Sequence, residues 1–184
     1  MRVDPRLDEV VNGERGMLKG IQVCLDRECL VSAVTLMFSA VDALAALTRP
    51  VELTSTNGKV FQDWVDRFIK PEDSVGCSAT DLWGARCGVL HLYSADSDLA
   101  LARRAKRLVY QWEAGPPADA DTPLPEDAIV ITVELLHGAL KDAVHNFIIA
   151  SEEDPRIKET VAHHLPAMLC YEPFPVISTI IMEV

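Results

Sequence analysis

The chain has 184 residues, 49% of them hydrophobic and 24% charged, with a formal net charge of −11. That length suits one domain with a real core, and the acidity argues against broad nucleic-acid binding, since phosphates would be repelled over most of the surface. Five cysteines, with Cys24 and Cys29 spaced C-x4-C and Cys77, Cys87 and Cys170 scattered, form no zinc or disulfide pattern, so reduced, mostly buried thiols are expected.

The opening Met1-Arg2-Val3-Asp4-Pro5 lacks the apolar core of a secretory signal, and a cytoplasmic protein without membrane association is expected. Leu7, Val10, Val11, Leu18, Ile21 and Leu25 recur at helical spacing and predict a first amphipathic helix over 5–25, weakened by Gly13, Gly16 and Gly20. Asp26 is a candidate cap for the next helix. In that helix Leu30, Val34, Met37, Val41 and Leu44 step by four and three, the spacing of a bundle helix that ends near Thr48, ahead of Pro50. This nearly apolar run, 31–47, is interrupted by Asp42 and is short for a bilayer span.

A loop is expected over 49–58, closed by the turn pair Asn57-Gly58. Phe61, Trp64, Val65, Phe68 and Ile69 predict a third helix, stopped by Pro71. Ser78-Ala79-Thr80-Asp81 matches a capping box, so a fourth helix is predicted from about Ala79 to Tyr93. The runs 108–112 and 129–133 are rich in β-branched or aromatic residues, and a small antiparallel hairpin near 107–133 is expected, closed by a Pro/Gly/Asp-rich loop at 114–127. Leu136, Leu140, Val144 and Ile148 predict a helix over 135–150, and Pro155 opens a last helix of about ten residues. The tail, with Pro166, Pro173 and Pro175, should be extended, and its apolar end 176–184 should pack on the body or on a partner.

Two lone charges stand out. Asp42 is the one formal charge between Val31 and Leu47, and Arg86 is the one between Leu82 and Ala95. Charges of opposite sign on apolar helices predict that the two helices meet there. His91 follows Arg86 by five residues, which places the two about 140° apart around an ideal helix and ~7.5 Å apart along it. A long arginine side chain, or a second subunit, is needed to bring them together. Gly84 and Gly88 thin the same helix and would admit another backbone. Arg103, Arg104, Lys106 and Arg107 put four cations in five residues: a solvated basic face or a phosphate-facing patch.

An acid on an apolar helix, a Trp/Phe-rich helix and then D-L-W-G-x-R-C-G-V-L-H, over about residues 25–115, resemble the HEPN superfamily (higher eukaryotes and prokaryotes nucleotide-binding), whose motif is Arg, four to six residues, then His. The resemblance implies a mainly α, HEPN-like helical bundle within a single domain 1–184, with a C-terminal helical extension at about 128–184. It implies a homodimer and, in catalytic members, a metal-independent endoribonuclease or RNA-binding protein that needs no cofactor. By this resemblance His91 moves protons, Arg86 stabilises charge on the phosphate and Asp42 orients or tunes one of them. Read as a phosphate-facing patch, Arg103, Arg104, Lys106 and Arg107 are the candidate substrate-binding residues. The family position after the arginine is often polar; here it is Cys87, which points towards weakened or absent cleavage.

The residues themselves also fit a second account. An Asp42–Arg86 ion pair that fixes helix register, in a non-catalytic module that dimerises or binds a protein partner, needs no chemistry at all. Glu134-x-x-His137 has no second copy to complete a metal site, and His137 and His145, eight apart, are too distant for one ion. His163-His164 is expected at solvent or an interface. Cys87 lacks a basic activator beyond Arg86 and His91, and no Gly-rich phosphate loop is present.

Overall fold

Apolar periodicity sets the helices of this protein, and glycine and proline set their ends. The structure, a computed structural model, describes residues 4–113 and 124–168; Cys170, most of the 114–127 stretch and the 173–184 tail lie outside the described residues. The expected first helix is two, α1 (Pro5–Asn12) and α2 (Met17–Asp26), broken at the glycines flanking Glu14 and Arg15. The next helix, α3 (Leu30–Leu47), starts after Cys29 rather than at Asp26, whose carboxylate accepts from Gln22 Nε2 at 2.8 Å. Against expectation, its 18 residues are long and apolar enough to cross a bilayer by length and composition; half of them are buried inside the protein, as in a core helix.

Asn57 does not close a turn but caps α4 (Gly58–Trp64), accepting from Val60 N–H through Oδ1 at 3.1 Å. The helix widens into a π turn, Val65–Ile69. Pro71 disfavours an α conformation in Lys70, which sits at φ 51° and donates its N–H to the Val65 carbonyl at 3.0 Å. Pro71 both stops this helix and opens the short α5 (Pro71–Ser74). Trp64, Phe68 and Phe147 then meet with ring centroids between 5.3 and 5.9 Å, forming the aromatic centre of the core.

The helix α6 (Ala79–Leu92) begins at the capping box read from the sequence: Ser78 Oγ accepts from Asp81 N–H at 3.2 Å, and Asp81 Oδ2 accepts from Ser78 N–H at 3.0 Å. It ends at Tyr93, whose left-handed conformation (φ 51°) reverses the chain. The backbone carbonyls of Ser94 and Asp96 then lie on Gly88, where an added Cβ would collide with the Ser94 oxygen. At Gly84 a Cβ would sit 2.9 Å from the Cβ of Ala105. The glycine face that was expected to admit another backbone is filled by this chain's own 94–105 segment, which includes the short α7 (Asp98–Leu101).

The two strands are β1 (Arg107–Gln111) and β2 (Ala128–Thr132), and they pair in parallel, Arg107 with Ala128 through Gln111 with Thr132. The expected antiparallel hairpin is therefore wrong. The chain between them, 112–127, is long enough for the return that a parallel pair requires. Arg107 pins both strand starts, donating its N–H to the Asp127 carbonyl at 3.3 Å and Nη1 to the Asp127 carboxylate at 2.7 Å. Leu108 and Ile131 face the core, and β1 packs on α6. β2 runs directly into α8 (Val133–Glu153), and α9 (Pro155–His164) packs back on it. Pro166, expected in an extended tail, lies in a 3-10 turn, Leu165–Ala167. The described residues are mainly helical with one small sheet.

Glycines 88 and 138 give opposite expectations. Gly88→Ala should lower the free energy of unfolding by about 1–3 kcal/mol through overpacking. Gly138→Ala, mid-helix in α8 with nothing within 4 Å of an added Cβ, should raise it by about 1 kcal/mol. Urea unfolding of the two variants checks both signs.

Candidate functional site

Helix α3 packs on α6, and their contact brings the two lone charges together. Arg86 Nε donates to Asp42 Oδ2 at 2.7 Å, and Arg86 Nη2 donates to the same oxygen. The side chains are 18% and 22% exposed, so the pair is neither sealed nor at the surface. Arg86 Nη1 lies 2.9 Å from Nε2 of the exposed His91. The length of the arginine side chain thus closes the angular gap along α6 within one chain, and a second subunit is not needed to do it.

A guanidinium has no lone pair to offer, so the Arg86–His91 contact is a hydrogen bond only when Nε2 accepts. For Nε2 to accept, the imidazole proton has to sit on Nδ1. Each terminal nitrogen of Arg86 keeps a second N–H beyond these bonds. Burial opposes the charge on Arg86, but the hydrogen bonds and charge of Asp42 outweigh it and raise its pKa. Burial also raises the pKa of Cys87, against the pull of Arg86, which keeps that thiol protonated beside the guanidinium. Cys87 is therefore a poor nucleophile.

Four further residues share this site, none of them proposed as a site residue from the sequence. Trp83 lays its ring 5.1 Å from the Arg86 guanidinium carbon, and Ser39 and Thr56 complete, with Ala43, an open pocket of about 370 Å³ beside Asp42 and Arg86. Trp83 is held from behind by Phe61, at 5.2 Å between centroids, and by the close backbone of Gly58. Trp83 stands three residues before Arg86, and Ser39 three before Asp42, so helical spacing placed both on the charged faces. Thr56 lies in a loop and carries no such signal.

The basic cluster lies elsewhere. Arg103, Arg104, Lys106 and Arg107 line a cavity of about 1170 Å³ at the N-terminal end of α6, with Ser78 and Asp81, and it shares no lining residue with the Arg86 pocket. Arg107 is occupied, by Asp96 at 2.6 Å and Asp127 at 2.7 Å. The side chains of Arg103, Arg104 and Lys106 have no ion pair among the described residues. Asp81, read as a cap, does more: it also accepts from Lys106 N–H at 2.6 Å, tying the entry to β1 onto α6. Burial raises its pKa, but the Lys106 N–H and the Ser78 hydroxyl and N–H outweigh that and hold it below the usual carboxylate value.

Among the described residues no three His, Cys, Asp or Glu side chains gather as metal ligands. Glu134 accepts from Glu113 N–H, and His137 is buried with Nε2 unpartnered and its pKa lowered by burial. Of the pair expected at solvent or an interface, His163 is exposed, whereas His164 is buried and its Nε2 donates to the Arg49 carbonyl at 3.1 Å. Comparisons with protein-family models, with curated proteins and with solved structures returned no match.

Breaking a partly buried pair from either side leaves a charge without its partner, so Asp42→Ala and Arg86→Ala should each cost about 2–3 kcal/mol of stability. The double variant should lose clearly less than the two together, measured by urea unfolding; additive losses would show that the pair does not join the helices. Asp81 sets a pH limit. Its folded-state pKa is depressed, so its contribution is complete above about pH 4 and is lost as pH falls through the folded value. Thermal unfolding from pH 6 to 3 should show that loss in the parent protein and a shallower slope in Asp81→Asn.

Proposed function

We propose that this protein is a HEPN-like, metal-independent endoribonuclease, a homodimer whose chemistry is carried by Asp42, Arg86 and His91. The observation that supports this reading is the convergence of the three: one guanidinium bonded to a carboxylate on one side and 2.9 Å from an imidazole nitrogen on the other. Asp42 and Arg86 line the open pocket; the exposed His91 lies outside its lining. In the proposed reaction the ribose 2′-hydroxyl exchanges places with Arg86 at His91 Nε2 and gives up its proton there. The 2′-oxygen bonds to the adjacent phosphorus and the bond from phosphorus to the 5′-oxygen breaks. The leaving 5′-oxygen takes a proton from water, His91 returns the proton it took to the hydroxide so formed, and the products carry a 2′,3′-cyclic phosphate and a 5′-hydroxyl. Arg86, still held by Asp42, turns its two spare N–H groups to the phosphate oxygens as their charge grows.

Arg103, Arg104 and Lys106 supply positive charge for flanking phosphates in this proposal, and Arg107, bound to Asp96 and Asp127, does not. The homodimer is supported by the exposed Leu92, Tyr93 and Val31, of which Tyr93 and Val31 share an apolar groove at the end of α6. A second reading has its own observation: Arg86 spends two N–H groups on Asp42, as a register-fixing pair in a non-catalytic, partner-binding module would.

Incubation with single-stranded RNA in EDTA separates the two. Cleavage leaving cyclic phosphate ends, reduced at least about 100-fold in His91→Ala and in Arg86→Ala, is the expected result. No cleavage of any RNA, with a large stability loss in Arg86→Ala and in Asp42→Ala but not in His91→Ala, would support the structural pair instead.

A further inference from the structure

We infer that the pocket beside Arg86 is a nucleobase subsite that selects bases bearing an exocyclic amino group. The inference rests on the phosphate-binding role proposed for Arg86. The pocket, about 370 Å³, is the size of a base with its sugar and has an aromatic wall in Trp83 and a methyl floor in Ala43. Its polar groups are one-sided. Both Arg86 bonds fall on Asp42 Oδ2, and among the described residues nothing donates to Asp42 Oδ1. Ser39 Oγ gives its hydrogen to the Thr35 carbonyl at 2.9 Å, so towards the pocket it can only accept. Asp42 and Ser39 stand three apart on α3, neighbours on one helix face. Thr56, with a rotatable hydroxyl, adapts to either role.

Two adjacent acceptors call for a group with two N–H hydrogens. The N4 amino group of cytosine, or the amino groups of adenine and guanine, meets both. Uracil carries a carbonyl oxygen at that position and would set lone pair against lone pair. With the ribose 3′-phosphate on Arg86, the base enters the Trp83–Ser39 slot, and the enzyme would cut after amino-bearing bases.

Isothermal titration of the full chain with 3′-CMP, 3′-UMP and ribose 3-phosphate tests this without any cleavage step. Binding of 3′-CMP at least about tenfold tighter than 3′-UMP, with the ratio falling towards one in Ser39→Ala, is expected. Trp83→Leu should weaken both nucleotides towards the ribose phosphate; should it not fold, the exposed Ser39→Ala carries the test. Tighter binding of oligocytidylate than of 3′-CMP would show that the subsite reads RNA, and equal binding that it takes a free nucleotide. Equal affinity for the two mononucleotides, or no gain over ribose phosphate, would overturn the subsite even if RNA is cleaved. Discrimination without cleavage of any RNA would keep the subsite and remove the nuclease.

Discussion

Where α3 crosses α6, one oxygen of Asp42 takes two N–H groups of Arg86, and the remaining guanidinium edge turns to His91. A long, charged side chain on an apolar helix has many rotamers and a high cost of burial. The carboxylate removes both difficulties at once: it compensates the charge and selects one rotamer. That rotamer in turn places Nη1 at the imidazole and stacks the guanidinium on Trp83. The guanidinium's contacts with His91 and with Trp83 therefore both follow from the same ion pair, whether that pair serves chemistry or only helix register.

The rest of the fold serves to hold α6 still. Its first turn is closed by Ser78 and Asp81, and Asp81 reaches on to the backbone of Lys106. Its far end is closed by Tyr93 and by the carbonyls that settle on Gly88. Strand β1 packs along it, and Arg107 ties that strand to its neighbour and to Asp96. On the opposite side the aromatic centre of Trp64, Phe68 and Phe147 anchors α4 and α8. A helix fixed at both ends and along its length gives residues five apart a constant separation.

Much of this was legible because it is local. Helical period, a capping box, Pro71 and Pro155 each act within one or two turns, and the structure obeys them. The Asp42–Arg86 contact was also readable, since an isolated charge in an apolar run needs a partner and each had one candidate. Strand direction was not. Two β-rich runs are compatible with either sense; in the parallel pair Arg107 meets Asp127 at the strand starts, and β2 runs on into α8 from the far end. The glycines of α6 pointed correctly to a close backbone approach, but a glycine does not say whose backbone arrives. Ser39 and Trp83 carried a spacing signal that was available; Thr56 and the one-sided polarity of the pocket arise only when loop and helices are assembled.

The seating of the 94–96 turn on Gly88 also constrains how this protein can diverge. Any descendant that places a side chain at position 88 must reshape the turn that lies on it, and reshaping that turn moves the last helical residues before it, His91 among them. Positions 88 and 94–96 are thus bound to change in concert or not at all. The histidine inherits that restriction, although the hydrogen bond its side chain makes is to Arg86.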